Sequence, residues 1–361
     1  MKKIRVLIVE DSQVIREFLQ HLIARDPRLE VAAAVGSAEE ALRSYDQLAP
    51  DVISMDIRLP GMNGFEATRR IMSENPIPIV VVSANVESED LKITMNALQA
   101  GALAVVEKPV GTTHADYEIL AERLCTQLAI MSQLKVVRQR LNGGRSWSLE
   151  DAQKRRIAKA VNAVLSRAPG SFHLMGIVAS TGGPNALVPL LNGLGPDFPL
   201  PILLVQHISA SFLDGFVSWL DSICPFSAVI AKDGEFPAPG KIYLAPADRH
   251  LRVEAGYLQV DNGQEVCAQR PSGTVLFQSM ARSLGSRSVG VLLTGMGEDG
   301  AAGLLELRTA GAYTIAEHES TAVVNGMPGA AVRLGAACEI LPLQEIAPRA
   351  LELALARIGA R

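Results

Sequence analysis

The sequence is poor in aromatic residues and in long apolar runs. Aromatic residues make up only 4% of its 361 residues, so its cores must be built mostly from aliphatic side chains and alanine. The longest apolar runs, such as 202–205 and 289–293, are far shorter than the roughly 20 residues that span a bilayer. Met1-Lys2-Lys3 leads straight into a strand-like run. We therefore expect neither membrane insertion nor a secretory signal.

Cysteine is also scarce, and no charge of one sign dominates. The four cysteines are too far apart for the spacing of a zinc-binding motif or of a disulfide framework. They are Cys125, Cys224, Cys267 and Cys338. The chain has 34 Lys and Arg against 38 Asp and Glu, a net charge of −4, which gives no reason to expect nucleic acid as a partner. These absences predict a cytoplasmic protein with reduced thiols.

What the sequence does contain is enough apolar surface for two domains. It is 48% hydrophobic, and at roughly 150 residues per domain its length suggests two. In the first 110 residues, short β-branched runs alternate with amphipathic stretches. The runs predict buried strands at 4–9, 31–35, 52–55, 79–82 and 104–106. This alternation predicts an α/β domain with a five-stranded parallel sheet, covered by helices on both faces.

A basic segment separates this domain from the rest. Apolar residues recur at spacings of three and four from Leu120 to Leu141, and the pattern ends at Asn142-Gly143-Gly144, which favours a helix. Residues 126–168 contain nine Lys and Arg against two Asp and Glu. We interpret residues 123–168 as a helical linker with a solvated basic face. A docking surface for an acidic partner is the alternative.

Strand signals return after the linker. Runs at 174–179, 202–205, 242–245, 289–293 and 313–316 alternate with helical stretches and glycine-rich turns. They predict a second α/β domain over 169–361, doubly wound around a mostly parallel sheet.

Charged and polar side chains follow the strands of the first domain. Glu10 and Asp11 follow the first strand, Asp56 the third, Ser83 the fourth, and Glu107 and Lys108 lie at the end of the fifth. The carboxyl ends of parallel strands share one edge, so these groups should converge. Crowded carboxylates without His or Cys favour Mg²⁺. A carboxylate beside Mg²⁺ and a lysine suits an aspartyl phosphate.

Three residues of the second domain stand at strand ends in the same way. Ser180 opens a Ser-Thr-Gly-Gly turn, His207 follows the next strand, and Asp299 lies in a glycine-rich loop after a third. Ser180 alone would be read more simply as a helix cap. Together the three can supply a nucleophile, a base and an orienting acid. His250 follows Asp248-Arg249, and we expect it at the surface or at the edge of the substrate site.

Residues 1 to about 122 resemble a two-component receiver domain, most clearly around Asp56. The resemblance implies that Asp56 accepts a phosphoryl group and binds Mg²⁺ together with Glu10 and Asp11. It also implies that Ser83 and Lys108 respond to phosphorylation.

The same resemblance implies a flavodoxin-like strand order of 2-1-3-4-5, and a cis bond before Pro109. The sequence departs from the pattern in two places. Asn63 stands where Asp is frequent, at a capping position. Val105 stands where an aromatic switch residue is common, so the usual aromatic coupling is in question.

Residues from about 170 to 361 resemble the catalytic domain of the chemotaxis methylesterase family, CheB. The matching stretches follow the family's order and are 179–184, 205–208, 240–246, 248–250, 270–272, 293–300 and 326–328. The resemblance implies that Ser180 is the nucleophile, His207 the base and Asp299 its partner. Thr181 and Met296 would line the site and help to form the oxyanion pocket.

This second resemblance implies a phosphorylation-regulated hydrolase. It would remove methyl esters from glutamates of methyl-accepting chemotaxis receptors and deamidate certain receptor glutamines, with no cofactor for hydrolysis. The histidine kinase CheA would be the phosphodonor. A paralogous esterase of a non-flagellar signalling array is the alternative. A phosphorylation-dependent DNA-binding regulator is supported only by the basic linker, and a nucleotide-binding oxidoreductase only by the glycine turn at 182–183.

Overall fold

The protein is described by a computed structural model over residues 2–83, 96–98, 100–109, 114–134 and 172–355. The chain divides into two compact units, Met1–Gly144 and Arg145–Arg361. Both are α/β units, and we describe each by itself.

The N-terminal unit contains a five-stranded parallel sheet in the order β2-β1-β3-β4-β5. This confirms the predicted order and the predicted fold class. The strands are β1 (Ile4–Val9), β2 (Leu29–Val35), β3 (Val52–Met55), β4 (Ile79–Ser83) and β5 (Ala104–Glu107). The helices with described bounds are α1 (Gln13–Arg25), α2 (Ala38–Leu48), α3 (Gly64–Glu74) and α4 (His114–Met131).

The burial pattern explains why these segments form strands and helices. Every residue of β3 and β4 is buried, as expected for central strands covered on both faces. In α2 the buried residues Ala38, Ala41 and Tyr45 recur with helical spacing and face the sheet. Asn63 caps α3 by accepting a hydrogen bond from the amide of Glu66 at 2.9 Å, so the amide side chain fulfils the capping role expected at this position.

The C-terminal unit contains a seven-stranded sheet in the order β14-β13-β12-β6-β7-β9-β8. Its central strands are β6 (Leu174–Ala179), β7 (Ile202–Gln206) and β12 (Ser288–Leu292). The outer strands are β8 (Ser227–Ile230), β9 (Lys241–Leu244), β13 (Tyr313–Glu317) and β14 (Glu339–Leu341). A separate antiparallel hairpin joins β10 (His250–Glu254) to β11 (Tyr257–Asp261).

Helices cover both faces of this sheet. They are α5 (Gly183–Leu194), α6 (Ala210–Ile223), α7 (Gly273–Ser283), α8 (Ala301–Thr309), α9 (Met327–Arg333) and α10 (Leu343–Leu355). The buried core combines many leucines and alanines with a few large aromatic side chains, such as Tyr243 and Phe277. The doubly wound α/β prediction is confirmed, and the seven-stranded sheet is parallel throughout.

Several elements were not predicted from the sequence. The edge strand β14 has only three residues, and β8 has only one fully buried residue, so neither shows a strong apolar pattern. The predicted linker is described only in part. Its first residues belong to α4, and residues 135–168 lie outside the described residues.

The peptide bonds and the helices of the described residues show two further features. Within the described ranges, the peptide bond that is cis precedes Pro271 and not Pro109, so that expectation is wrong. No helix among the described residues is both long enough and apolar enough to cross a membrane.

Candidate active site and acidic site

The strand order of the C-terminal sheet places a crevice between β6 and β12. From β6 the chain proceeds to β7 on one side, whereas β12 leads to β13 on the other, so the loops after these two strands diverge. Ligands of open α/β sheets bind at such a switch point, outside the carboxyl ends of the strands. Ser180 follows β6 directly, and the loop after β12 carries Asp299.

Ser180 sits in a tight turn between β6 and α5. Its amide donates a hydrogen bond to the carbonyl oxygen of Thr294 at 3.0 Å, and its carbonyl oxygen accepts one from the amide of Gly183 at 2.8 Å. Gly182 has a φ of 80°, and a Cβ atom there would lie 2.5 Å from Cβ of Val323. Only glycine fits, since both the backbone conformation and the space exclude a side chain. The turn leaves Ser180 partly exposed at the N-terminus of α5.

His207 lies next to Ser180 across the sheet. Ala179 pairs with Gln206 in the parallel register of β6 and β7, and the amide of His207 donates to the carbonyl oxygen of Ala179 at 3.0 Å. Neighbouring strands are about 4.8 Å apart, so the residues that follow this pair are adjacent at one sheet edge. The side-chain amide of Gln206 donates to the carbonyl oxygens of Ser180 at 2.9 Å and of His207 at 3.0 Å, which ties the two turns together.

Asp299 brings a carboxylate next to His207 at the same edge of the sheet. Its Oδ2 atom lies 2.9 Å from Nε2 of His207, and both side chains are nearly buried. No hydrogen bond joins Oγ of Ser180 to the imidazole within the described part of the chain; such bonds are often long before substrate binds. Because Nε2 is engaged by Asp299, Nδ1 is the ring nitrogen left for the serine.

The carboxylate of Asp299 also lies at the N-terminus of α7. It accepts hydrogen bonds from Oγ of Ser272 at 2.6 Å, from the amide of Gly273 at 2.6 Å and from the amide of Thr274 at 3.1 Å. Burial raises the pKa of Asp299, but the hydrogen bonds from His207, Ser272 and Gly273 outweigh it, and the net shift is downward. The carboxylate is therefore ionised and held in one orientation.

Thr294 connects the Ser180 turn to the rest of the sheet. Its hydroxyl donates to the carbonyl oxygen of Thr181 at 2.9 Å and accepts from the amide of Val324 at 2.9 Å. Its amide donates at 2.8 Å to Oε2 of Glu317, a side chain that is only 1% exposed. Burial raises the pKa of Glu317, and the hydrogen bond from Thr294 offsets this only in part.

Sequence reasoning did not assign Gln206, Ser272 or Glu317 to the site. Gln206 and Glu317 each end a buried strand, the same signal that drew attention to His207 and Asp56. Ser272 caps α7, and its contact with Asp299 joins residues 27 positions apart, which no local pattern reveals.

The two residues expected to line the oxyanion pocket lie on the two loops at this edge. Thr181 follows Ser180 in the turn that precedes α5. Met296 lies in the loop after β12 and is 47% exposed. The neighbouring Gly295 leaves no room for a side chain, because a Cβ atom there would lie 2.8 Å from Cβ of Ser180. Their contribution to an oxyanion pocket stays a prediction.

The N-terminal sheet has a second polar site at its own switch point, between β1 and β3. The ammonium group of Lys108 lies 2.8 Å from Oε2 of Glu10 and 2.8 Å from Oδ2 of Asp56, and all three side chains are at least 94% buried. Burial raises the pKa of Asp56, and Lys108 offsets this only in part. Burial likewise raises the pKa of Glu10, and the nearby Asp56 adds to the rise.

These acids fit a hard divalent cation. Glu10, Asp11 and Asp56 each offer a carboxylate oxygen within 4.8 Å of the others. Oε1 of Glu10 is buried and has no hydrogen-bond partner among the described residues, which leaves it available for a metal. Ser83 is 4% exposed at the end of β4, and its carbonyl oxygen accepts from the amide of Lys108 at 2.9 Å. The donor set matches the oxygen ligands that Mg²⁺ prefers.

Two protein-family models match the chain, one in each of its two units. The model for the "CheB methylesterase" family matches residues 175–350. The model for the "response regulator receiver domain" family matches residues 6–117.

Curated relatives match over nearly the whole chain. A protein-glutamate methylesterase/protein-glutamine glutaminase of Paramagnetospirillum magneticum is 58% identical, over 98% of this chain and 98% of its own. A relative of the same name from Nitrosospira multiformis is 42% identical, over 95% of both chains. Among solved structures, the CheB methylesterase catalytic domain of Thermotoga maritima is 34% identical, with a TM-score of 0.49, and covers 51% of this chain and 99% of its own.

Proposed function

The chain belongs to the CheB methylesterase family, and from this membership we propose that it is a protein-glutamate methylesterase and protein-glutamine glutaminase under the control of its receiver domain. Its substrates are glutamate methyl esters and certain glutamine amides of chemotaxis receptors. The observation that carries the catalytic assignment is the 2.9 Å contact between His207 and Asp299 beside the Ser180 turn. A serine, an imidazole and an ionised carboxylate in this order suit acyl transfer.

Ester hydrolysis proceeds in two halves. In the first, Oγ of Ser180 attacks the ester carbonyl carbon while Nδ1 of His207 takes the hydroxyl proton. The bond to the methoxy oxygen then breaks, and the imidazolium returns the proton, so that methanol leaves and an acyl-serine remains. In the second half, His207 deprotonates a water molecule that attacks the acyl carbon. The bond between the acyl carbon and Oγ of Ser180 then breaks, and Oγ takes the proton from the imidazolium. The glutamic acid product leaves and loses its proton to solvent.

Asp299 assists both halves. It accepts the hydrogen bond from Nε2–H of His207, which fixes the tautomer that leaves Nδ1 free to act as a base. Its negative charge also stabilises the imidazolium formed during the attack. In glutamine deamidation the same steps apply, with ammonia as the leaving group.

Hydrogen-bond donors must stabilise the negative charge that develops on the carbonyl oxygen during the attack. The resemblance assigns this pocket to Thr181 and Met296, at the N-terminus of α5 and in the loop after β12. Backbone N–H groups at a helix N-terminus suit an oxyanion, since they point outward and carry partial positive charge. Losing one such donor costs about 3–4 kcal/mol of transition-state stabilisation in comparable enzymes.

In this proposal, phosphorylation of the receiver domain regulates the esterase activity. Asp56 accepts a phosphoryl group, Glu10 and Asp11 bind Mg²⁺ together with Asp56, and Lys108 contacts the added phosphate. When bound, Mg²⁺ neutralises charge on the carboxylates and on the phosphoryl oxygens. Phosphorylation replaces the single negative charge of the Asp56 carboxylate with the roughly 1.5–2 negative charges of a phosphoryl group, in a site that also holds the carboxylates of Glu10 and Asp11 and the ammonium group of Lys108. Ser83 and Lys108 respond to this added charge.

The proposal includes the partners and the extent of each domain. The protein acts in the cytoplasm, with the histidine kinase CheA as its phosphodonor and methyl-accepting chemotaxis receptors as its macromolecular substrates. The receiver extends over 1–122, the linker over 123–168 and the esterase over 169–361.

The test is methanol release from membranes that carry methylated chemotaxis receptors. The wild-type protein should release methanol faster after addition of a small phosphodonor with Mg²⁺. Ser180→Ala should release none above background, and Ser222→Ala, which changes an exposed serine on α6, should match the wild type. Near-normal turnover by Ser180→Ala would overturn the catalytic assignment. Failure of the wild-type protein on all methylated receptors would overturn the substrate class.

A further inference from the structure

His250 is buried against the active-site elements, although its sequence context suggested an exposed loop. It begins β10 and is 0% exposed, so the expectation of a surface position is wrong. Its Nε2 atom lies 2.9 Å from the carbonyl oxygen of Gln264, and its Nδ1 atom lies 3.2 Å from the amide nitrogen of Ser272. A carbonyl oxygen can only accept and an amide can only donate. The ring is therefore neutral, with its proton on Nε2 and a lone pair on Nδ1.

Ser272 connects this ring to the proposed catalytic group. Its main-chain amide donates to His250, and its hydroxyl donates to Oδ1 of Asp299 at 2.6 Å. Both Ser272 and Asp299 are almost fully buried, so water does not compete for these bonds. A continuous chain of hydrogen bonds thus runs from Gln264 through His250, Ser272 and Asp299 to His207.

We propose that His250 is a positioning residue for Asp299 and acts through Ser272. The proposal rests on the proposed function, because it assumes that Asp299 orients His207. By holding the Ser272 amide, the ring fixes the start of α7, and three donors to the Asp299 carboxylate come from that start. A small rotation of the carboxylate would misalign the bond to Nε2 of His207.

A buried histidine could equally serve only to fill space, and two amide variants separate these roles. In His250→Asn the side-chain oxygen can take the place of Nδ1 and accept from the Ser272 amide. In His250→Gln the longer side chain can place its NH₂ group near the position of Nε2 and donate to Gln264, but it leaves the Ser272 amide without an acceptor. Both variants replace the ring by a neutral amide, so both lose the packing of the imidazole.

The variants should differ in turnover rather than in substrate affinity. We expect His250→Asn to keep kcat within about fivefold of the wild type, and His250→Gln to lose about 30-fold or more, with KM changed less than threefold in both. Thermal unfolding of the full-length proteins provides the structural control. Equal kcat values in the two variants, or kcat losses that follow the loss of Tm alone, would overturn the proposal.

A fluorophosphonate that labels activated serines gives a readout independent of receptors. Labelling of Ser180 should be slower in His250→Gln than in His250→Asn by the same ratio as kcat. If the wild-type protein is not labelled at Ser180, the proposed nucleophile is wrong and the positioning role falls with it. If the wild-type protein is labelled at Ser180 but the two variants are labelled at equal rates, the positioning role is wrong and the assignment of the nucleophile stands.

A double-mutant cycle tests the route through Ser272. If His250 acts through Ser272, the variant with both His250→Gln and Ser272→Ala should be at most about threefold slower than the slower single variant, because His250→Gln already disturbs the hydroxyl bond to Asp299 that Ser272→Ala removes. Rate losses that multiply would show that the two residues act independently, which would contradict the proposed route.

Discussion

Nε2 of His207 lies 2.9 Å from Oδ2 of Asp299, although the two residues are 92 positions apart in the sequence. His207 reaches this point from the end of β7, and Asp299 from the loop after β12, with β6 between the two strands. The contact therefore passes across the carboxyl end of β6, where Ser180 is located. This geometry brings the proposed base and its orienting acid to the same edge as the proposed nucleophile.

Replacing Asp299 by Asn should remove most of the esterase activity. The carboxylate accepts hydrogen bonds from four donors, whereas an amide would turn an NH₂ group towards at least one of them. Since the imidazole would then favour the wrong tautomer, we expect kcat to fall by about four orders of magnitude. Methanol release from methylated receptors measures this directly. Asp214→Asn, an exposed carboxylate on α6, is the control and should retain wild-type activity.

Asp56→Asn should abolish the response to a phosphodonor. The amide cannot take the place of the nucleophilic carboxylate that forms the acyl phosphate. We expect radiolabelled acetyl phosphate with Mg²⁺ to label the wild-type protein but not Asp56→Asn, and the ratio of stimulated to unstimulated esterase rate to fall to one. Asp46→Asn changes a receiver carboxylate outside the acidic site and should be labelled normally. Labelling of Asp56→Asn at the wild-type level would contradict the assignment of Asp56.

Gly295→Ala should disturb the site through steric contact. The added methyl group would lie 2.2 Å from Sδ of Met327 and 2.8 Å from Cβ of Ser180. Methionine can move, but the serine turn is fixed by its backbone hydrogen bonds. We expect kcat to fall 10-fold or more and the free energy of unfolding to fall by about 1–3 kcal/mol.

A second glycine separates steric effects at the site from backbone strain. Gly335 has a φ of 65°, and a Cβ atom there meets open space. Gly335→Ala should therefore lower the free energy of unfolding by about 1–2 kcal/mol and leave kcat unchanged. If both variants lose activity to the same degree, the loss reflects general destabilisation and not the contact with Ser180.

Glu317→Gln should change how stability depends on pH. Burial raises the pKa of Glu317 above its ordinary value of 4.5, so the folded protein holds this proton more tightly than the unfolded chain. The stabilisation from that proton is complete below pH 4.5 and is lost as the pH rises through the folded-state pKa. The glutamine variant does not titrate. Its free energy of unfolding relative to the wild type should therefore increase with pH across this window.

Urea unfolding of both proteins between pH 4 and pH 8 measures this difference. Glu319→Gln, an exposed carboxyl two residues away, should show no such trend. Parallel pH profiles for wild type and Glu317→Gln would contradict the predicted shift in pKa.

The sequence by itself determined the fold class and the residue types of both sites. Buried β-branched runs fix the strands of each parallel sheet, because only apolar side chains can be covered on both faces. The polar residues directly after those runs must then lie at one edge, which is why Asp56, Ser180 and His207 could be named from sequence. The short strands β8 and β14 could not be predicted from sequence, because their apolar patterns are too weak to distinguish them from loops.

Only the tertiary structure decided which side chains contact one another and how each is buried. His250 was expected at the surface or at the edge of the substrate site, yet the packing of β10 against α7 buries it completely and joins it to Ser272. The contacts of Ser272, Glu317 and Gln206 likewise connect residues from separate elements. The local periodicity of apolar residues indicates whether a residue faces a core. It does not indicate which distant residue forms a hydrogen bond with a buried polar group, because that depends on how the strands are ordered in space.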